Sequence, residues 1–275
     1  MAYVNVGPRP GPRAWSAPAS RLELGAWTAL GFLGFFGLWW GLAASGWVPQ
    51  RFLPGPWQVL RTMQDLTMHA YAGATLPLHA LASLERFLMG FGLAALVGVP
   101  LGLLMGWYRW LDDVVSPLFE AVRFVAPIAW VPFAALWFGT GIGGPILVIF
   151  SGAFPPCLIN AYRGARQVDR VLVEAAQTLG APGRRVIAEV LVPAALPSIV
   201  AGLRVGAGLG WQSLVGAELI VVSSGLGYLM VQGQATLRTP VVMASMVAIG
   251  VIGVVLDVAL RALERAVRRG WGEQA

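Results

Sequence analysis

Long apolar runs separated by short polar segments organise this chain. A helix needs about 20 mostly apolar residues to cross about 30 Å of hydrocarbon. No charge occurs between Glu23 and Arg51, and the first span is predicted over 24–48. A second follows over 86–108. The 39 residues from Phe124 to Tyr162 then carry no charge, which is too long for one crossing. The stretch TGIGGP at 140–145 supplies a turn, so the pattern predicts a third span over 117–138 and a fourth over 143–162. The fifth falls at 198–222 and the sixth at 241–262. The expected fold class is all-α and integral to the membrane, with about six transmembrane helices in one domain, 24–265. A proline-rich tail at 1–23 reads as flexible, and 266–275 as a short C-terminal tail. Residues 49–82, of mixed polarity, read as a loop with a short interfacial helix.

One interruption is too ordered for a linker. In 163–197, Val168, Val171, Leu172, Ala175 and Leu179 fall on one face of a helix, and Arg170 and Glu174 stand four apart on another. Gly180 is placed to end that helix and Pro182 to open the next. The second helix has Val186, Ile187, Val190 and Leu191 on one side and Arg184, Arg185 and Glu189 on the other, with Pro193 and Pro197 expected to close it. A helical hairpin of this kind either lies on the membrane surface under its own bundle or docks a soluble partner.

Composition supports the membrane reading: 57% of the residues are hydrophobic and 12% charged, about half the charged share of a soluble domain. All nineteen basic residues are arginine, which excludes a P-loop, since that motif needs a lysine to reach the phosphates. The pI of 10.4 follows from arginine-rich loops, and no binding module or aromatic-basic stripe accompanies it to suggest nucleic acid. The single cysteine, Cys157, can form no internal disulfide, and His69 and His79 sit in no metal-binding or nucleophile–base pattern. No cleavable signal peptide is evident. With the N-terminus inside, thirteen arginines fall on the cytoplasmic side and three outside, a split that follows the positive-inside rule. Both termini and the 163–197 hairpin are then cytoplasmic.

Few charges enter the spans. Glu120 and Arg123 can pair at i, i+3 near the start of span three. Arg204 lies six residues into span five, where it either snorkels to the interface or faces a pathway and attracts an anion. Glu218 stands about 21 Å further up the same helix, too far to pair with Arg204, and calls for an interhelical or loop partner. Trp211, Gln212 and Ser213 lie between them, and with Arg204 and Glu218 they make up the candidate pathway residues. Asp257 is expected to pair with a nearby arginine. The segment SSGLGYLM at 223–230 reads as a tight external turn or a gate element.

Glu174-Ala175-Ala176, three residues, Gly180, nine residues, then Val190-x-Val192-Pro193 resembles the EAA loop of ABC-importer permeases. The family pattern has Ile and Leu where this chain has Val190 and Val192. The resemblance extends from about Leu76 to the C-terminus. Segments 127–156, 202–230 and 256–271 look like the branch that imports taurine and other sulfonates, nitrate and bicarbonate. It implies a type I ABC importer-like fold, with Glu174, Ala175, Ala176, Gly180, Arg184, Arg185 and Pro193 coupling this chain to a separate ATPase. It further implies a bacterial inner-membrane protein that works as a pair of copies with two ATPase subunits and an external substrate-binding protein. Such a chain is no enzyme and binds no cofactor or metal; ATP and Mg are handled by the ATPase. The alternative is an ATP-independent secondary transporter or channel. That class calls for mid-membrane carboxylates and corresponding broken helices, and no central acid or inverted repeat is evident here.

Overall fold

The structure, a computed structural model, describes residues 21–270 apart from 50 and 221. The predicted flexible tail lies outside the described residues over 1–20, as do 271–275. The described residues divide into two compact units, one ending at Trp57 and one beginning at Gln58.

The first unit holds α1 (Arg21–Ala44), whose surface is almost wholly apolar and exposed. Its last turns are tied to the following loop, where the Trp39 Nε1–H donates to the Pro54 carbonyl at 3.1 Å. Helix α2 (Pro56–Met68) crosses the boundary; Val59 and Leu66 make its buried stripe.

The second unit is built on α3 (Leu76–Trp107), α6 (Gly143–Arg166) and α9 (Val192–Glu218), with α6 packed between the other two. Glycines explain the close approach. On α3, Gly90, Ala94, Gly98, Gly102 and Gly106 recur every fourth residue and face α6; a Cβ at Gly102 would stand 2.4 Å from the Leu158 carbonyl oxygen. On α9, Gly202, Gly206 and Gly210 face Asn160, Cys157 and Ala153 of α6 in the same spacing. Small residues at such intervals let helix backbones meet where lipid offers no hydrophobic drive to association. Larger side chains fill the flanks, with Phe87, Ile149, Trp211 and Leu214 in one cluster and Leu103, Leu191 and Ile199 in another.

Several predicted boundaries need correction. The second span begins at Leu76, ten residues before the expected 86, because His79, Ser83 and Arg86 are buried against other parts of the chain and need no interface. The third is no straight crossing of 117–138. It consists of α4 (Arg109–Val122) and a second arm, a 3-10 turn Pro127–Trp130 running into α5 (Val131–Phe138), at 85° to the first. Pro127 explains the break: it holds Ala126 in extended backbone and brings no N–H to the ladder.

After α6 come α7 (Arg170–Thr178) and α8 (Gly183–Val186). Pro193 and Pro197 do not close the hairpin. The helix passes through both, so that α8, a π segment Ile187–Leu191 and α9 form one rod over 183–218. The π turn lies just ahead of Pro193 and absorbs the missing donor and the ring's clash with the preceding turn. The rod ends at Glu218, short of the expected 222. Residues after it, read as a turn, include a further helix, α10 (Leu226–Ala235), too short to span, before α11 (Thr239–Gly270). Helix α11 carries the last span and the start of the predicted C-tail in one element.

Candidate functional site

The hairpin is set by its caps. Asp169 caps α7, accepting from the Val171 N–H at 2.9 Å. Gly180 ends it at φ +80°. The Gly180 N–H donates to the Gln177 carbonyl at 2.9 Å and the Ala181 N–H to the Ala176 carbonyl at 3.0 Å, a paired 5→2 and 6→1 closure that needs a left-handed residue at this position. Glu174, Ala175 and Ala176 lie within α7; Glu174 and Ala175 are exposed. The expected Arg170–Glu174 pair does not form. Arg170 is the first helical residue, where a cation opposes the dipole, and the ion pair on the hairpin is instead Arg185–Glu189 at 2.9 Å. Arg184 is exposed and Pro193 half-buried within the rod. The apolar residues predicted to share one face are largely uncovered: Val171 is 66% exposed, Leu172 53% and Leu179 88%.

The other candidates lie on α9 and separate into distinct environments. Trp211 is buried, edge-on to Phe87, with its Nε1–H donating to the Ile249 carbonyl at 3.2 Å. Arg204 donates to Asp257 (Nε, 2.9 Å) and Glu264 (Nη1, 3.2 Å) of α11, and Asp257 also accepts from the Arg261 Nε at 2.7 Å. Asp257 thus pairs with two arginines. Arg204, Asp257 and Glu264 line a cavity of about 460 Å³ that also touches Gln212. Gln212 and Leu209 also line a second cavity, of about 360 Å³, walled by Ser213, Ser151, Gly152 and the bend at 123–128. Arg123 pairs with Glu120 at 2.7 Å, as its spacing suggests.

Glu218 is sealed in, at 1% exposure. Its carboxylate accepts from Ser83 Oγ (2.8 Å), Arg86 Nη1 (2.8 Å) and the Gly227 N–H (3.0 Å). Arg86 also donates to the Ser224 carbonyl at 2.9 Å and to its hydroxyl at 2.5 Å. His79 Nδ1 accepts from the Gly225 N–H at 3.1 Å, which leaves Nε2–H to donate to the Tyr71 carbonyl at 3.1 Å. Residues 224–226 are thereby fastened to one face of α3, Leu226 through its N–H to Ser83 Oγ at 2.9 Å, and Gly227 to Glu218 of α9. Gly225, at φ +110°, is required twice over, since a Cβ there would meet the Glu218 carboxylate at 2.3 Å.

Residues 98–270 match the family described as the binding-protein-dependent transport system inner membrane component. The chain belongs to this family of ABC-importer permeases. The permease is 36% identical over 263 residues to the taurine transport system permease protein of Escherichia coli, covering 94% of each chain. It is 32% identical over 247 residues to the bicarbonate transport system permease protein of Synechococcus elongatus, covering 87% of this chain and 88% of that one. Its fold resembles a chain of the inward-facing MetNI methionine ABC transporter, with a TM-score of 0.57 at 19% identity, over 68% of this chain and 93% of that one.

The structure brings Gln212 and Ser213 of the permease to one cavity and Arg204 to the edge of another, and buries Trp211 and Glu218 away from both. Sequence reasoning missed Asp169, although an aspartate just before an amphipathic helix is a standard cap signal. It also missed Ser151, Glu264 and the Ser83–Glu218 and Arg86–Ser224 contacts. These depend on pairings between distant segments that no local pattern carries.

Proposed function

We propose that the permease is one half of a homodimeric pathway for a small anion, with taurine or another sulfonate favoured and nitrate or bicarbonate as alternatives. An external binding protein delivers the substrate, and two separate ATPase subunits bind and hydrolyse ATP with Mg; this chain is no enzyme and holds no cofactor. The protein resides in a bacterial inner membrane with both termini and the 163–197 hairpin in the cytoplasm, in line with the arginine distribution.

The observation that carries the coupling role is the uncovered apolar face of α7, on a hairpin whose geometry is fixed at both ends by Asp169 and Gly180. Val171, Leu172 and Leu179 give a soluble partner an apolar edge, and Glu174, Arg184 and Arg185 give it register. Ala175 and Ala176 allow the partner to come close.

Glu174→Ala or Gly180→Pro is expected to abolish ATP-driven uptake in proteoliposomes while the chain still inserts and folds. Normal uptake by both variants would remove the docking role. Uptake by this chain alone, without ATP or ATPase, would instead favour a secondary transporter.

A further inference from the structure

Three arginines of the second unit could meet an anion inside the bundle, and their surroundings differ. Arg86 is buried and committed to Glu218 and Ser224. Arg204 is committed to Asp257 and Glu264, and Arg261 also pairs with Asp257, so the charges at the cavity it lines are already matched to one another. Arg123 lines a neighbouring cavity of about 360 Å³ whose walls hold no carboxylate. Its partner Glu120 engages Nε. The guanidinium also lies over the Phe124 ring, 4.7 Å from its centroid, and Arg123 lines the cavity together with uncharged Gln212, Ser151 and Ser213.

Resting on the anion-import reading above, we propose that this cavity receives the charged head of the travelling anion, with Arg123 as its counter-charge and the Gln212 amide as a neutral donor. The bend of the third span creates the site, because it carries Arg123 out of a straight crossing and lays Pro127 and Ile128 along the cavity wall. Gly152 lets α6 and α9 meet at its floor, where a Cβ would stand 2.2 Å from Ser213 Oγ. The cavity suits a compact oxyanion such as a sulfonate or nitrate. Gln212 lines both cavities.

The test uses the whole importer, permease with its ATPase and binding protein, in proteoliposomes. Gln212→Cys is labelled with sulfonatoethyl methanethiosulfonate, an anion, and with its trimethylammonium analogue, a cation. Both rates are normalised to those of a small free thiol, and the parent chain, whose Cys157 is buried, is the blank. We expect the normalised anionic rate to lead by about tenfold or more. Arg123→Gln should erase that lead and Arg123→Lys retain it. Glu120→Gln should keep or increase it, whereas a purely structural Arg123–Glu120 pair would make Glu120→Gln as harmful as Arg123→Gln. Val205→Cys, at the Arg204 cavity, should show no anionic lead that depends on Arg123. An anionic lead at Gln212→Cys that survives Arg123→Gln would overturn the assignment.

Uptake of taurine, methanesulfonate, nitrate and bicarbonate by the same preparations separates the two levels. A parent complex that moves none of them ends the import reading and this inference with it. A parent that imports one, with Arg123→Gln unchanged in both labelling and uptake, ends only the cavity assignment.

Discussion

Glu218 shows how a charge can sit inside an apolar bundle and still belong there. Its carboxylate meets one guanidinium, one hydroxyl and one backbone N–H, so nothing about it is left uncompensated. Glu218→Ala should therefore leave Arg86 as a buried charge without its partner and destabilise the fold by about 3–5 kcal/mol. A thermal-unfolding series in detergent checks this: a loss under about 1 kcal/mol would mean that water reaches the site. Sequence reasoning put Glu218 beyond reach of Arg204 and expected a partner on another helix or loop. That partner, Arg86, lies 132 residues away, and its identity was not legible, because nothing in the chain's local pattern records which segments become neighbours. Gly180 was legible for the opposite reason. Its role is decided within six residues, by the end of α7 and the left-handed turn that follows.

At the scale of elements, the apolar runs were read well and their ends less well. Burial of His79, Ser83 and Arg86 extends α3 toward its N-terminus past polar residues that a hydropathy pattern treats as a boundary. The prolines also misled in part: Pro127 does break a span, but Pro193 and Pro197 are carried within the rod. The difference lies in the π segment before Pro193, a backbone adjustment without a sequence signature of its own. The four-residue spacing of glycines on α3 and α9 was available in the sequence and predicts the packing directly. Gly102→Val should force α3 from α6 and cost about 1–3 kcal/mol or more, whereas Gly92→Val, on an open face of α3, should change little. Thermal stability of the two variants side by side would show whether the stripe matters or merely glycine content.

For the whole molecule, the exposed apolar surfaces outnumber what one chain in water could tolerate. Leu136 and Trp137 on α5, Leu30 and Leu33 on α1, and Val254 and Val255 on α11 are each more than half exposed. Lipid or a second copy must cover them. Purified in mild detergent, the chain is expected to emerge as a pair bearing one ATPase per permease, with cross-linking and mass spectrometry as the check; a single chain with no ATPase would count against the assembly. The family and the all-helical class were legible from apolar runs and one loop motif, since both are local; of the six expected crossings, five are single helices long and apolar enough to span, and the sixth is the bent pair α4–α5. The cavities were not, because each is shared by segments that meet only after folding.

The unbroken run from Gly183 to Glu218 has a mechanical consequence. Its 36 residues extend about 54 Å at the helical rise. One end carries Arg184 and Arg185 beside the hairpin turn; the other is bolted by Glu218 to α3 and to the 224–227 strap. If the hairpin docks an ATPase as proposed, a tilt there would be carried along this rod to the far side of the bundle, with the π turn and Pro193 and Pro197 as its softer points. Closing one mouth of the passage and opening the other would then be the two ends of one lever moving together.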